Sequence, residues 1–219
     1  MNKREEERRK RQQAKLEKEL ERLAAMSVYE NQYQDCACIC GIDEAGRGPL
    51  AGPVVAGAVI LSKDAPILYL NDSKKLSPKK RESLYEEILE KAVAVGIGMA
   101  SPARIDEINI LQATYEAMRA AIADLSVEPD ILLNDAVTIP EVEIPQVPII
   151  KGDAKSISIA AASIVAKVTR DRLMEEIDLV LPGYGFARHK GYGTKENIQA
   201  IRELGPTPIH RQSFIKNFV

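Results

Sequence analysis

The stretch CICGIDEAGRGPLAGPVVAGAVIL, residues 38–61, decides the fold. It opens with an apolar run, Cys38 to Ile42, that is typical of a strand. A second β-rich run, Val54 to Leu61, follows a segment punctuated by glycine and proline, Ala45 to Pro53. We predict that the two runs pair as antiparallel strands and that the segment between them is a loop.

Helices and strands alternate downstream of this pair. The sequence predicts a helix that Ser77 caps and Pro78 opens, a strand at 95–100, a helix at about 110–125, short strands at 130–133 and 147–150, and a helix at 156–181. The order β-β-α-β-α-β-β-α predicts an α/β domain with a mixed five-stranded sheet flanked by helices. Three antiparallel strands come first, and parallel pairing follows.

Composition bounds the protein class. With 219 residues, 45% hydrophobic and 28% charged, the chain suits one substantial core, which excludes collagen-like, low-complexity and wholly disordered proteins. The longest apolar stretch, residues 53–61, is far shorter than the roughly 20 residues of a membrane-spanning helix. The start of the chain is densely charged, unlike a secretory signal. We expect a cytoplasmic protein without membrane contact.

Cysteine and histidine usage limits the metal chemistry. Cys36, Cys38 and Cys40 alternate within one short segment, which predicts reduced thiols on one strand face rather than a disulfide framework. Only two histidines, His189 and His210, are present, so no Cys/His zinc site is expected. Any metal must therefore be held mainly by carboxylates.

The net charge of −2 hides an uneven distribution. Residues 1–25 carry nine Lys or Arg against six Glu, and residues 179–219 carry six against two, so the middle is acidic. An acidic centre suits metal ions and basic ends suit a polyanion, although an ordinary solvated surface explains the charges equally well.

The start of the chain forms a separate segment. Residues 2–24 lack Gly and Pro, mix both charge signs and have few apolar positions, which predicts an exposed helix supported by i,i+4 pairs. We therefore divide the chain into a charged helical extension outside the core, 1–35, and an α/β domain with a helical C-terminal region, 36–219.

Four carboxylates follow strand ends. Asp43 and Glu44 end the first strand, Asp135 comes just after the fourth, and Asp153 follows the fifth. If the first and fourth strands are neighbours, these groups converge at one edge of the sheet. Their repulsion calls for a cation, and two Mg²⁺ or Mn²⁺ ions would suit phosphodiester hydrolysis. Each carboxylate taken alone could equally be a helix cap or a turn former.

The stretch Gly41–Pro53 carries four glycines, so its backbone N–H groups can approach an anionic or hydroxyl-bearing ligand. It is neither a Walker phosphate loop, since no Gly-Lys-Ser/Thr ends it, nor a dinucleotide fingerprint, since the spacing fails. A tight hairpin without a ligand is the alternative.

From about Cys40 to Phe218 the sequence resembles ribonuclease HII, the type 2 ribonuclease H of bacteria. The motifs that carry the resemblance are GIDEAGRG at 41–48, NDSKKLS at 71–77, KGDAKS at 151–156, SIAAASIVAKVTRD at 158–171, HKGYGT at 189–194 and HRQSF at 210–214. The resemblance implies a ribonuclease H-like fold, with 36–219 as the catalytic domain and its C-terminal helices binding substrate.

The resemblance also implies an activity. Such an enzyme hydrolyses the RNA strand of RNA–DNA hybrids and cuts 5′ of single ribonucleotides embedded in duplex DNA, leaving 3′-hydroxyl and 5′-phosphate ends. It would remove ribonucleotides and RNA primers during DNA replication and repair. Asp43, Glu44, Asp135 and Asp153 would hold Mn²⁺ or Mg²⁺, one ion activating water and the other stabilising the leaving oxygen.

Nucleic-acid contacts are implied in the same way. Gly46, Arg47 and Gly48 would contact the 2′-hydroxyl, the atom that distinguishes RNA from DNA, and Tyr192 would sense the junction with a following deoxynucleotide. We expect a monomer that binds hybrids and ribonucleotide-containing DNA duplexes.

Phosphate contacts are implied at three further positions. Lys74 would contact the backbone, although from sequence it is equally a solvated charge. Lys155 and Ser156 begin a helix whose N-terminus could bind a phosphate, with capping alone as the alternative. We expect Asp171 to be a surface ion-pair partner, and nothing requires His189 to act as a base.

Two other functions stay open. A module of this fold that binds hybrids without cutting them is one, and the complete set of acidic residues disfavours it. A structure-specific DNA nuclease is the other, and the loop directed at the 2′-hydroxyl disfavours it. The extension has no β-pattern and is short, which disfavours ribonuclease HIII.

Overall fold

The computed structural model describes residues 3–218, and it contains one mixed sheet. The strands are β1 (Ile39–Ala45), β2 (Val54–Ile60), β3 (Ala94–Ala100), β4 (Ile131–Asp135) and β5 (Gln146–Ile149). Their spatial order is β3-β2-β1-β4-β5. β2 pairs antiparallel with β1 and β3, whereas β4 pairs parallel with β1 and β5. The predicted sheet is confirmed, and it makes β1 the central strand.

Helices cover both faces of this sheet. They are α1 (Lys3–Met26), α2 (Val28–Gln32), α3 (Pro78–Lys91), α4 (Pro102–Ala123), α5 (Ile157–Val180), α6 (Phe186–His189), α7 (Lys195–Leu204) and α8 (Gln212–Ile215). Short 3₁₀ turns lie at 73–75 and 152–154. α4 packs on one face of β2, and α5 packs on the other face of β1 and β2.

The strand period of two sorts the side chains of β2 between these helices. Val54, Ala56, Ala58 and Ile60 share a buried cluster with α4, whereas Val59 shares one with α3 and α5. Burial on both faces explains why this strand is a continuous apolar run rather than an alternating one.

Small residues bring α5 against the sheet. A Cβ on Gly41 would lie 2.0 Å from the carbonyl carbon of Ser158, so the helix backbone lies directly on β1. Ala160, Ala161 and Ala162 are fully buried at this contact. These small side chains allow the close approach of the helix to the sheet.

The helix expected from about residue 110 begins earlier, at Pro102. Ser101 caps its first turn by accepting from the Arg104 N–H. Asn109, at φ 69°, interrupts the helix, and its side chain accepts from the Leu111 N–H at 3.0 Å. The periodicity predicted only the part after residue 109, because Asn109 breaks the helix and caps the part that follows it.

The expectation that all three cysteines share one strand face is wrong. β1 begins at Ile39, so Cys40 alone lies within it. Cys38 and Cys40 pack into the cluster under α4, whereas Cys36 packs against β4 and β5 residues on the opposite side. Burial raises the pKa of the Cys40 thiol to about 12, which makes it unreactive.

The N-terminal helix is not wholly outside the core, contrary to the prediction. Residues 4–18 are exposed, but Leu23 and Met26 are 8% and 6% exposed and join the cluster that contains Ile67 and Leu70. The cause is apolar side chains near the end of α1 that need burial. Within residues 3–218, no helix is long and apolar enough to cross a membrane.

Candidate active site

The carboxylates predicted from strand ends are brought to one edge of the sheet. Asp43 lies near the carboxyl end of β1 and Asp135 ends the neighbouring parallel strand β4, where Ile42 pairs with Asn134. Asp153 lies in the 3₁₀ turn that follows β5. The Oδ1 atom of Asp135 accepts from the Gly152 N–H at 2.7 Å, which ties this turn to β4.

Several carboxylates lie close together at this edge of the sheet and disfavour one another's charged form. Burial, and then the charges of Glu44 and Asp135, raise the pKa of Asp43 well above its usual range. Burial raises the pKa of Glu44 against the opposing effect of Arg47, and Asp135 raises it further. Burial and the nearby carboxylates raise the pKa of Asp153 as well. A cation would offset this repulsion.

The donor set fits a hard divalent metal ion. All four groups are carboxylates, whose oxygens suit Mg²⁺ and Mn²⁺. Across the described part of the chain, no three His, Cys, Asp or Glu side chains are grouped closely enough to form a finished metal site. Asp43, Glu44, Asp135 and Asp153 therefore line the edge without enclosing a complete ligand shell.

Two buried serines extend the hydrogen-bond network of Asp43. The Ser163 side chain hydrogen-bonds to the Asp43 carboxylate, and the Glu44 N–H donates to Asp43 Oδ1 at 2.7 Å. The Ser163 hydroxyl lies 2.8 Å from that of Ser73, and both serines are buried. Sequence reasoning missed these serines, although each lies in a quoted motif.

A lysine and a fifth carboxylate lie beside the cluster. Burial lowers the pKa of Lys74, but the carboxylates of Asp43, Asp72 and Asp153 raise it by more, so that the pKa lies above its usual value. Lys74 is exposed, and its N–H donates to Asp72 Oδ1 at 2.9 Å. The sequence predicted Lys74 but not Asp72, whose only signal was its place in the 71–77 motif.

The glycine loop and Tyr192 are neighbours, as the predicted roles require. A Cβ on Gly48 would lie 3.9 Å from Cε1 of Tyr192. The Leu50 N–H donates to the Gly191 carbonyl at 2.8 Å, which joins the two loops. Arg47 and Gly48 are exposed, and Tyr192 is 45% exposed. Gly46 is buried at φ 97°, a left-handed conformation that favours glycine.

Two buried arginines hold this loop, and sequence reasoning missed both. Arg211 donates to the carbonyls of Gly46, Arg47 and Gly52 at 2.5–3.0 Å. Burial, followed by repulsion from Arg170, lowers the pKa of Arg211 to about 9, so it stays charged at neutral pH.

Arg170, on α5, donates to the carbonyls of Ala51, Pro53 and Lys190 at 2.9–3.0 Å. The sequence held one signal for its burial: Arg170 comes four residues after Ala166, which places both on the buried face of α5.

His189 supports the loop that leads to Tyr192. Its Nε2 atom lies 2.7 Å from the Tyr184 carbonyl, and its Nδ1 accepts from the Gly191 N–H at 3.2 Å. These partners define an Nε2-protonated tautomer. Both ring nitrogens are committed to backbone groups, which suits a structural role.

The phosphate contact predicted for Ser156 stays a prediction, and the structure shows which partner this side chain has within the fold. Ser156 is fully buried, and its hydroxyl donates to Glu30 Oε1 at 2.5 Å. The Ser158 N–H donates to the same oxygen at 3.0 Å, so the carboxylate of Glu30 occupies the N-terminus of α5. Lys155 is exposed, and its phosphate contact stays a prediction.

The predicted ion pair of Asp171 is confirmed. Its Oδ1 lies 2.5 Å from Lys167 Nζ, one turn earlier on α5. Asp171 lies within α5.

Comparison with known proteins gives consistent matches. A family model described as Ribonuclease HII matches residues 40–217. A Ribonuclease HII of Lachnoclostridium phytofermentans is 72% identical over 93% of this chain and 80% of its own length. The crystal structure of ribonuclease H2 from Pyrococcus horikoshii aligns with a TM-score of 0.67 and 27% identity, over 83% of this chain and 96% of that one.

The solved Bst-RNase HIII in complex with Mn²⁺ aligns with a TM-score of 0.56, over 77% of this chain and 63% of that one. At 18% identity it supports the fold alone.

Proposed function

The chain belongs to the ribonuclease HII family and is a metal-dependent endoribonuclease of RNA–DNA hybrids, and from this premise we propose that it also cuts 5′ of single ribonucleotides in duplex DNA by two-metal-ion catalysis. The observation that carries the proposal is the convergence of Asp43, Glu44, Asp135 and Asp153 at one sheet edge. Cleavage would leave 3′-hydroxyl and 5′-phosphate ends.

The four carboxylates would hold Mn²⁺ or Mg²⁺, which when bound supply an activated water and a stabilised leaving oxygen. Ser163 and the Glu44 N–H orient Asp43, and the Gly152 N–H orients Asp135. Lys74, exposed beside these carboxylates, would bind a phosphate oxygen of the cleaved strand.

Selection of the ribonucleotide would rest on the loop that Arg170 and Arg211 hold. Backbone groups of Gly46, Arg47 and Gly48 would contact the 2′-hydroxyl, which is the feature that distinguishes RNA from DNA. The half-exposed ring of Tyr192, beside Gly48, would stack on the next sugar and favour a deoxynucleotide there. Lys155 would contact the backbone further along.

Such an enzyme would remove ribonucleotides and RNA primers during DNA replication and repair, acting as a monomer in the cytoplasm. Its substrates would be RNA–DNA hybrids and DNA duplexes that contain ribonucleotides.

Asp135→Asn tests the role of the carboxylates. We expect this variant to keep its circular dichroism spectrum and to lose at least about 100-fold in cleavage of a DNA duplex with one ribonucleotide, because a metal-site ligand is lost. Asp64→Asn, on an exposed loop, is the matched control and should cut normally. Assays contain Mg²⁺, Mn²⁺ or chelator.

Near-normal turnover by Asp135→Asn would overturn the mechanism. Binding without cutting by the wild-type protein, in either ion, would favour a binding module. Cleavage of branched all-DNA substrates would favour a structure-specific DNA nuclease.

Tyr192→Ala tests the junction role. Loss of a stacking ring costs about 1–3 kcal/mol, so we expect cutting at a lone ribonucleotide to fall roughly 10-fold more than cutting of a continuous hybrid. Tyr192→Phe keeps the ring and should retain the preference. Equal losses on both substrates would refute the assignment.

A further inference from the structure

A buried amide holds the Tyr192 turn, which we define as residues 191–193. Asn197 lies in the first turn of α7 and is fully buried. Its Nδ2 atom donates to the Gly191 carbonyl at 3.2 Å and to the Tyr192 carbonyl at 3.0 Å. Since an amide nitrogen carries two hydrogens, both donors of Asn197 are committed to this turn.

These two carbonyls belong to the peptide groups on either side of the Tyr192 Cα atom. Peptide groups are planar, so φ and ψ of Tyr192 are set when both groups are held, and the direction of its Cα–Cβ bond follows. The flanking residues, Gly191 and Gly193, give the turn little stiffness of its own, and Gly191 is at φ 82°. The Tyr192 carbonyl also accepts from the Thr194 N–H at 2.8 Å, a bond within the local chain, whereas Asn197 ties it to α7.

The same amide joins the Tyr192 turn to the glycine loop, residues 46–53. The Gly191 carbonyl, which accepts from Asn197, also accepts from the Leu50 N–H at 2.8 Å and from the Ala51 N–H at 3.3 Å. α7 packs its apolar side chains on Leu50 as well. The ring of Tyr192 is therefore positioned relative to the loop that we propose reads the 2′-hydroxyl.

The acceptor side of Asn197 shows what the residue contributes. Its Oδ1 atom is buried and has no hydrogen-bond partner within residues 3–218. A buried acceptor without a partner is unfavourable, and an apolar side chain would fill the space without one. Rotating the amide by 180° would direct Oδ1 at two carbonyl oxygens, which is worse. The pair of donated hydrogen bonds is thus the contribution of Asn197.

We propose that Asn197 is a positioning residue, which sets the direction of the Tyr192 ring and thereby the preference for a ribonucleotide followed by a deoxynucleotide. The inference rests on the proposed function for the role of Tyr192. Because Asn197 is buried, it acts through the backbone of the Tyr192 turn and contacts no substrate.

A fluorescent ring at position 192 tests the positioning without any cleavage. The chain contains no tryptophan, so Tyr192→Trp introduces a single indole, whose anisotropy decay reports nanosecond motion. We expect added Asn197→Ala to lower the residual anisotropy of this indole, because both flanking peptide groups are released. Added Gln199→Ala, on the exposed face of α7, is the matched control and should leave it unchanged.

Asn197→Asp is a second variant for the case in which Asn197→Ala does not fold. It keeps the volume of the side chain, suits the first turn of a helix and loses at least one of the two donors. We expect it to lower the anisotropy in the same direction.

Cleavage of two substrates tests the consequence for selection. The quantity is kcat/KM for a DNA duplex with one ribonucleotide divided by kcat/KM for a continuous hybrid, both with Mg²⁺. A smaller folded fraction lowers both rates equally, so this ratio reports selection rather than stability. We expect Asn197→Ala to lower the ratio roughly 5-fold, because the ring stacks on the next sugar less often. In a Tyr192→Ala background the same substitution should leave the ratio unchanged, because no ring remains to be positioned.

An unchanged anisotropy in both Asn197 variants would overturn the proposal. A folded Asn197 variant with the wild-type ratio, where Tyr192→Ala lowers that ratio, would overturn it too, as would an equal loss in both backgrounds. If Asn197→Ala frees the indole but Tyr192→Ala leaves the ratio unchanged, the junction role of the proposed function fails, whereas the positioning of the ring by Asn197 stands.

Discussion

Arg170 and Arg211 are buried cations whose hydrogen-bond partners are carbonyl oxygens rather than carboxylates. Burying a charge is costly unless its donors are satisfied, and charge-assisted bonds to backbone carbonyls offset that cost. Because all of these carbonyls except that of Lys190 belong to residues 46–53, the two guanidinium groups fix the backbone of the proposed 2′-hydroxyl loop. Residues more than a hundred positions downstream thus shape that loop.

His210 carries a pH prediction. It is 1% exposed, its Nδ1 accepts from the Thr207 N–H at 2.9 Å, and burial, with repulsion from His189, lowers its pKa to about 4. An unfolded histidine titrates near 6.5. Since the unfolded chain takes up this proton first, the stabilising effect of a neutral His210 is complete above about pH 6.5 and is lost as the pH falls toward 4.

Urea unfolding at several pH values checks this expectation. His210→Asn keeps an acceptor near Nδ1 but does not titrate, so its free energy of unfolding should fall less than that of the wild type between pH 6.5 and 4.5. If the free energies of unfolding of the two proteins changed equally with pH, His210 would not be buried in its neutral form.

At the scale of elements, α5 organises the site. It packs along β1 and β2, supplies Ser163 to Asp43, and carries Arg170 on its buried face. α2 holds the start of this helix through Glu30, whose Oε1 accepts from Ser156 and Ser158. The extension therefore stabilises the element on which the active site is built.

Glu30→Ala should destabilise the fold by about 1 kcal/mol, because a cap and a favourable charge–dipole contact are lost. Denaturant unfolding measures the change. Glu30→Gln keeps an acceptor oxygen and should lose less, and Glu17→Ala, exposed on α1, should stay within about 0.5 kcal/mol of the wild type. A Glu30→Ala protein as stable as Glu17→Ala would mean that the cap contributes nothing.

Over the whole molecule, charge is arranged by sign around the site. Carboxylates gather at the sheet edge, Lys74 lies beside them, and the exposed residues 4–18 of α1 carry more Lys and Arg than Glu. Such a field suits a polyanion that must be held along its length while one phosphate approaches the carboxylates. The division into 1–35 and 36–219 stays a prediction, although the last turns of α1 pack into the core.

The sequence by itself determined the order of strands and helices along the chain, the helix starts at Ser77 and Ser156, and the positions of Asp43, Glu44, Asp135 and Asp153 at or after strand ends. These follow from local signals, because strand periodicity, capping residues and a polar residue ending an apolar run are all read within a few positions.

Only the tertiary structure decided which distant groups meet. Glu30 at the start of α5, Arg211 on the loop carbonyls, Asp72 beside Asp153 and the docking of Leu23 on the core join residues far apart in the chain. No local pattern encodes such contacts, because a buried donor or charge is satisfied by whichever partner the packed fold brings within reach.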